Sequence, residues 1–386
     1  MIIMQLTRRD ETERPKPIGY DKKRAAELME KYEFDVLILT SPANVFYASG
    51  LPVRHQAMNP ILFALNNQYP TIVLVYQNGE ESLILWDIYD RKLSWIKNTK
   101  GCLTPKDALR GLKAFLKKNI GEGRIGVEGT FPFYIHQFIT EKFPQVKIMN
   151  ADDLLLDIQL IKSAEEIRRI EESTRIAEKA ILNMIEAIKP GITDIELIKI
   201  AKKTVIEEGA EGWDHFTMSI GESDPEAPGI GLKVQQNQAL RLDVGAMYQG
   251  YVSDVNRMAY LGEIPSDLKN AIEAIIQVQN ACQKAIKPGI EPSAILSLAE
   301  KTWHDAGRQD QFIIIAHSLG LKTEEYHFFD PMKGGLKRKF QKGNVLNMEA
   351  WTLMKGYGTI GNEDQYIVTE DGCKRISTLE MKIFQV

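Results

Sequence analysis

Over the first 150 residues the hydrophobic pattern switches repeatedly between helical and strand periods. Asp21 to Tyr32 is charged and helix-prone, and Phe34 to Thr40 is an apolar run of strand length that Ser41-Pro42 closes as a turn. Thr71 to Tyr76 and Ser82 to Trp86 flank Gln77-Asn78-Gly79-Glu80, whose Asn-Gly pair tolerates the positive φ of a hairpin. Further strands are expected at Ile125 to Glu128 and Val146 to Met149. Alternation of this kind builds an α/β layered domain with a mixed sheet.

A second unit opens near Ser163. Ser163-Ala164-Glu165-Glu166 has capping-box spacing, and Ile167, Ile170, Ala177, Ile181, Met184 and Ile188 continue as a helical stripe. The boundary therefore falls between Asp152 and Lys162. Within the second unit the chain repeats itself: Ala187-Ile188-Lys189-Pro190-Gly191-Ile192 returns 98 residues later as Ala285-Ile286-Lys287-Pro288-Gly289-Ile290. At the same offset Ala201, Lys203, Thr204 and Gly209 match Ala299, Lys301, Thr302 and Gly307. Each copy reads as one helix ended by Pro-Gly, then a second helix stopped by glycine.

Composition narrows the class. The 386 residues are 44% hydrophobic and 26% charged, with 48 basic against 52 acidic side chains and a formal charge of −4. That balance excludes disorder and gives no bulk attraction to nucleic acid or an anionic membrane. Cys102, Cys282 and Cys373 lie far apart without CxxC spacing, which disfavours a disulfide framework and suits a reducing compartment. Met1 to Lys16 carries charges where a signal peptide needs an apolar run, so a cytoplasmic protein is expected.

Both halves of the repeat then place acids inside apolar strands. After the first copy come Leu242-Asp243-Val244, Gly250-Tyr251 and Asp254; after the second come Met348-Glu349-Ala350, Gly356-Tyr357 and Glu363. In each half Gly-Tyr begins seven residues after the strand acid. Asp243 and Asp254 are symmetric about a turn between Tyr248 and Gln249, which would oppose them across antiparallel strands with Cβ atoms about 5 Å apart. Four converging carboxylates repel unless cations bridge them, so metal is the expected occupant. His317, ending the apolar run Phe312 to Ala316, is the natural fifth ligand. One imidazole with four carboxylates suits manganese, cobalt or iron(II), with zinc also compatible.

These residues resemble a known family. Asp243-Val244-Gly245-Ala246, Tyr248, Gly250-Tyr251, Ser253-Asp254 and Arg257, then His317 and Gly320, Glu349, Glu363-Asp364 and Val368 to Gly372, are similar to the prolidase, aminopeptidase P and creatinase-like group of the M24 "pita-bread" metallopeptidases. Ile161-Lys162-Ser163, Glu166-Ile167 and the Pro42, Asn44, Tyr47, Gly50 series extend the resemblance over nearly the whole chain. It implies a creatinase-type α/β N-terminal domain, residues 1–157, and an α+β pita-bread catalytic domain with internal pseudo-twofold duplication, residues 158–386. It also implies two divalent metal ions held by Asp243, Asp254, His317, Glu349 and Glu363, with Glu349 shuttling protons as metal-activated water cleaves an amide C–N bond. A homodimer acting on a short peptide or small molecule, as an Xaa-Pro dipeptidase does, is the further expectation.

One departure bears on substrate. Family peptidases carry two accessory histidines, and in this chain both slots hold glutamate, Glu226 after Pro225 and Glu324 before Glu325. His215 lies upstream of the first slot and His327 beyond the second, and either can serve from a displaced loop. An ionised glutamate cannot donate to an oxyanion and repels a peptide carboxylate. The substitutions point to a substrate other than an ordinary Xaa-Pro dipeptide, one carrying positive charge. A non-peptidase relative, hydrolase or lyase, is the alternative expectation; a non-catalytic binding protein is the third, disfavoured because all five ligands are kept.

Overall fold

A computed structural model describes residues 14–52, 55, 70–120, 122–330 and 338–386, and contacts divide the chain into two compact units after Gln159. The strands of the first unit are β1 (Val36–Leu39), β2 (Ile72–Tyr76), β3 (Glu81–Trp86), β4 (Thr99–Cys102), β5 (Arg124–Val127) and β6 (Lys147–Asn150). They form a mixed sheet in the order β4-β3-β2-β1-β5-β6, antiparallel from β1 through β3 and parallel elsewhere. Gly79 turns the β2–β3 hairpin at φ 83°. Val36, Ile38, Ile72, Leu74, Ile84 and Ile125 meet Leu112, Leu116, Ile135 and Ile139 of two helices in one core.

Ser41-Pro42 is a helix start instead of a simple turn. Ser41 accepts from the Asn44 backbone N–H and opens helix Pro42–Ser49. Proline at the first helical position has the right φ and lacks only an N–H that no helical carbonyl would have accepted.

The second unit is a ten-stranded sheet: β7 (Gly212–Ile220), β8 (Gln238–Tyr248), β9 (Tyr251–Val252), β10 (Val255–Leu261), β11 (Phe312–Ser318), β12 (Tyr326–Phe329), β13 (Val345–Met354), β14 (Gly358–Val368), β15 (Cys373–Arg375) and β16 (Ile383–Gln385). Its main path runs β12-β11-β13-β14-β10-β8-β7. The duplication is visible here, because β7-β8-β10 and β11-β13-β14 are antiparallel triplets that meet where β10 pairs with β14. Each half adds a helix pair, Ala164–Ala187 with Asp194–Glu207 and Ser266–Ala285 with Pro292–Asp305. The leading helices stop at Ala187 and Ala285, and in the turns just beyond them Gly191 at φ 88° and Gly289 at φ 89° donate their N–H groups to the Val234 and Phe340 carbonyls, both at 2.8 Å.

Polar contacts fix both leading helices on the sheet. Ser163 and Glu166 form the expected capping box, and Ser173 Oγ donates to the Ala246 carbonyl at 2.9 Å. In the other half Gln279 Nε2 donates to the Met348 and Asn362 carbonyls, both at 2.9 Å. Those carbonyls flank Glu349 and Glu363, so the helix docks directly behind two site strands. Among the described residues no helix is long and apolar enough to cross a membrane.

Candidate metal centre

Strand register collects the acids. Asp243 pairs with Asn256, Asn256 with Glu363, and Glu363 with Glu349, so four neighbouring strands contribute to one row across the sheet. Glu349 and Glu363 oppose each other across β13 and β14. Asp243 and Asp254 do not. Tyr248 pairs with Tyr251, placing the turn at Gln249-Gly250, where both residues have positive φ, 49° and 82°. A two-residue turn of that conformation sets the register, and it leaves Asp254 two residues short of Asp243's partner, in the gap between β9 and β10.

The Asp254 carboxylate nevertheless reaches both halves of the site. Its Oδ1 lies 3.3 Å from His215 Nε2, which is 3.1 Å from Asp243 Oδ1. Its Oδ2 lies 3.7 Å from His317 Nε2, which is 3.6 Å from Glu363 Oε1. Two sets of donor atoms thus form around a shared aspartate: His215, Asp243 and Asp254, and Asp254, His317 and Glu363, each spanning no more than 4.8 Å. His317 is held on β11 opposite Asn347, whose amide donates to Glu363.

Glu349 joins neither set. Its Oε1 accepts from Arg241 Nη2 at 2.7 Å, and the same nitrogen lies 2.9 Å from Asp243 Oδ2. Arg241 had no role in the sequence reading. The signal was available, because Arg241 and Asp243 are alternate residues of β8 and alternate residues share a face. Its side chain is 3% exposed, and the Pro225 carbonyl accepts from Nη1 at 3.4 Å.

Burial and charge pull these groups apart in acidity. Burial would raise Asp243, but Arg241 and His215 override it and hold its carboxyl at about 2. Burial drives Glu349 up to about 7 despite Arg241, with Asp243, Asp254 and Glu226 adding to the rise. Glu363 is pushed well above the ordinary carboxylate range by burial and by Asp254, Glu349 and Asp243. For His215 burial acts downward, and Asp254 and Asp243 outweigh it, raising the imidazole well above its ordinary value. Negative charge at Glu363 and Glu349 is therefore under-compensated by the protein, and a divalent cation fits the oxygen-rich donors around Asp254, His317 and Glu363.

The two substituted slots lie at the edge of this cluster. Glu226 is 71% exposed along its side chain, with Oε1 3.7 Å from Arg241 Nη1. Glu324, at φ 49°, faces His327 Nε2 across 3.3 Å. His327 is the register partner of His317, and their rings stand 6.0 Å apart. Of the two displaced histidines, His215 contacts the acids directly and His327 flanks the imidazole. Glu325 is structural: it pairs with buried Lys162 at 2.6 Å and accepts from the Leu321 N–H at 2.9 Å.

Residues 168–370 match the model of metallopeptidase family M24, and residues 22–161 match the creatinase/prolidase N-terminal domain. The Xaa-Pro dipeptidase of Pyrococcus horikoshii is 24% identical over 365 residues, covering 94% of this chain and 97% of the relative. Among solved structures, a dipeptidase from Pyrococcus horikoshii superposes with a TM-score of 0.82 at 22% identity, over 95% of this chain and 99% of that one. The X-Pro aminopeptidase of Thermotoga maritima gives 0.77 at 21% identity, over 95% and 99%. Likeness at such identity speaks for the fold.

Proposed function

The chain belongs to metallopeptidase family M24, and from that premise we propose that it hydrolyses Xaa-Pro dipeptides or close amide analogues, with Asp243, Asp254, His317, Glu349 and Glu363 holding divalent metal. The observation that carries this reading is the approach of Asp254 and Glu363 to His317, at 3.7 and 3.6 Å, from two separate strands and a connecting segment. Histidine and carboxylates left that close without hydrogen bonds between them are arranged as ligands. When bound, a divalent ion polarises a carbonyl and acidifies a water.

The protein's own part is to position and to move protons. Glu349 stands at the open side of the cluster, its side chain 19% exposed where Glu363 is 3% exposed. Its carboxyl therefore takes and returns the proton as the amide C–N bond breaks, while Arg241 fixes Oε1. Asp214 Oδ2, 3.0 Å from His215 Nδ1, orients that ring so that Nε2 faces Asp243 and Asp254. The division into a 1–157 and a 158–386 domain, a homodimer, a cytoplasmic site of action, and manganese, cobalt, iron or zinc as the metal belong to the same proposal and rest on family kinship.

Glu226 and Glu324 favour a refinement of substrate. Two carboxylates at the edge of the site, one of them 71% exposed, attract a cationic group and repel a free carboxylate. The test is a panel of Xaa-Pro dipeptides and their C-terminal amides with the manganese- or cobalt-loaded protein and its chelated form. Metal-dependent release of proline or prolinamide supports the proposal. A loaded protein that cleaves neither series refutes it, and preference for the amides supports the refinement.

A further inference from the structure

We propose that the two cation positions of this centre are unequal: the Arg241 guanidinium is the resident cation between Asp243 and Glu349, and one divalent ion binds tightly, at Asp254, His317 and Glu363. This rests on the metal-dependent reading above and departs from the expected pair of ions.

The two sides differ in contact geometry. Around His317 the donor atoms stand 3.6 and 3.7 Å apart, too far for hydrogen bonds and suited to an ion lying between them. Around Asp243 the contacts are already made. Its Oδ1 faces His215 Nε2 at 3.1 Å, and its Oδ2 faces Arg241 Nη2 at 2.9 Å. The same Nη2 is bonded to Glu349 Oε1 at 2.7 Å. One guanidinium nitrogen thus links the two carboxylates that a second metal would have to share.

Arg241 is poorly placed to leave. Guanidinium stays protonated under all working conditions, so its charge is permanent. Its residue lies in the middle of β8, paired with Ser219 on one side and Met258 on the other, and its side chain is 3% exposed. A second ion would have to displace a buried charge from both partners, and an arginine stranded in that way is strongly unfavourable. His215, anchored by Asp214, adds a second basic group on the same side. On the His317 side the group in contact with the donors is neutral: Asn347 Nδ2 donates to Glu363 Oε1 and lies 3.5 Å from His317 Nε2, and an amide can turn aside without stranding a charge.

The full chain, stripped with chelator and dialysed, is titrated with Mn(II) and followed by calorimetry, elemental analysis and electron paramagnetic resonance. One ion per chain, with the signal of an isolated Mn(II) and any second binding at least a hundredfold weaker, is expected. Arg241→Met removes the resident charge while keeping the volume, and it should take up a second ion and show a spin-coupled pair. Two ions of similar affinity in the unaltered chain overturn the inference and leave the hydrolase reading intact, as does an Arg241→Met protein that still binds one. A chain that binds no ion overturns both. If the variant does not fold, stoichiometry and spectrum of the unaltered protein decide by themselves.

Discussion

Glu349 on β13 and Glu363 on β14 are direct cross-strand partners, yet one is tied to Arg241 and the other lies with His317. Two acids at adjoining positions of one ribbon thus have different companions. Glu349, more open and held by Arg241, is the proposed proton carrier; Glu363 is buried beside His317.

Glu349→Gln keeps the shape and the acceptor oxygen for Arg241 but cannot exchange a proton. Its kcat on a cleaved Xaa-Pro substrate should fall by about 100- to 10,000-fold, with KM far less changed. Steady-state kinetics at fixed metal concentration checks this. An unchanged kcat removes Glu349 from proton transfer.

His317→Ala and Glu363→Gln each delete one donor of the open set. Both should lose bound metal on dialysis, and the rise in melting temperature that metal gives the unaltered chain should vanish. Elemental analysis together with thermal denaturation, with and without Mn(II), is the measurement.

Arg257, close in sequence to Asp254, serves the fold. Its Nη2 bonds Asp364 Oδ1 at 2.6 Å, and both side chains are wholly buried. Nη1 and Nη2 also reach the carbonyls of Glu363 and Leu379. Arg257→Leu takes the close charge partner from the buried Asp364, which keeps Asn362 at 3.2 Å and Arg375 at 3.9 Å, and should cost about 3–5 kcal/mol, read from urea denaturation.

Gly356 and Gly358 bracket the β13–β14 turn with nearly equal φ, 86° and 83°. A Cβ at Gly356 meets open space, whereas one at Gly358 would lie 2.0 Å from the Gly221 carbonyl oxygen. Gly356→Ala should cost the ~1–2 kcal/mol of left-handed backbone. Gly358→Ala must also move the main chain, so its unfolding midpoint should drop much further than that of its neighbour.

If the edge acids set substrate choice, restoring histidine should shift it. The double variant Glu226→His, Glu324→His is expected to gain at least tenfold in kcat/KM on unmodified Xaa-Pro dipeptides relative to their amides. Parallel kinetics on both series measures the ratio, and a ratio that does not move assigns specificity elsewhere.

Much of the frame is written in local pattern. Ser163 with Glu166, Pro-Gly after each leading helix and the Gly-Tyr pairs act over a few residues, so their geometry follows from side-chain type and spacing alone. The direct facing of Glu349 and Glu363 was legible for the same reason, since one turn joins their strands. The Asp243–Asp254 pairing was misplaced by two residues, because the turn could be centred one residue earlier until the φ values at Gln249 and Gly250 were known.

By itself, then, the amino-acid sequence determined the duplication, the acids and the imidazole, because hydrophobic period and spacing decide which residues sit in strands. It did not determine which acid faces which cation. Arg241 reaches Glu349 across 108 positions of sequence, and His215 meets Asp254 only after β7, β8 and the β9–β10 gap have come together. Such contacts depend on how separate strands align side by side, and a buried charge settles on whichever partner that alignment brings within hydrogen-bond reach.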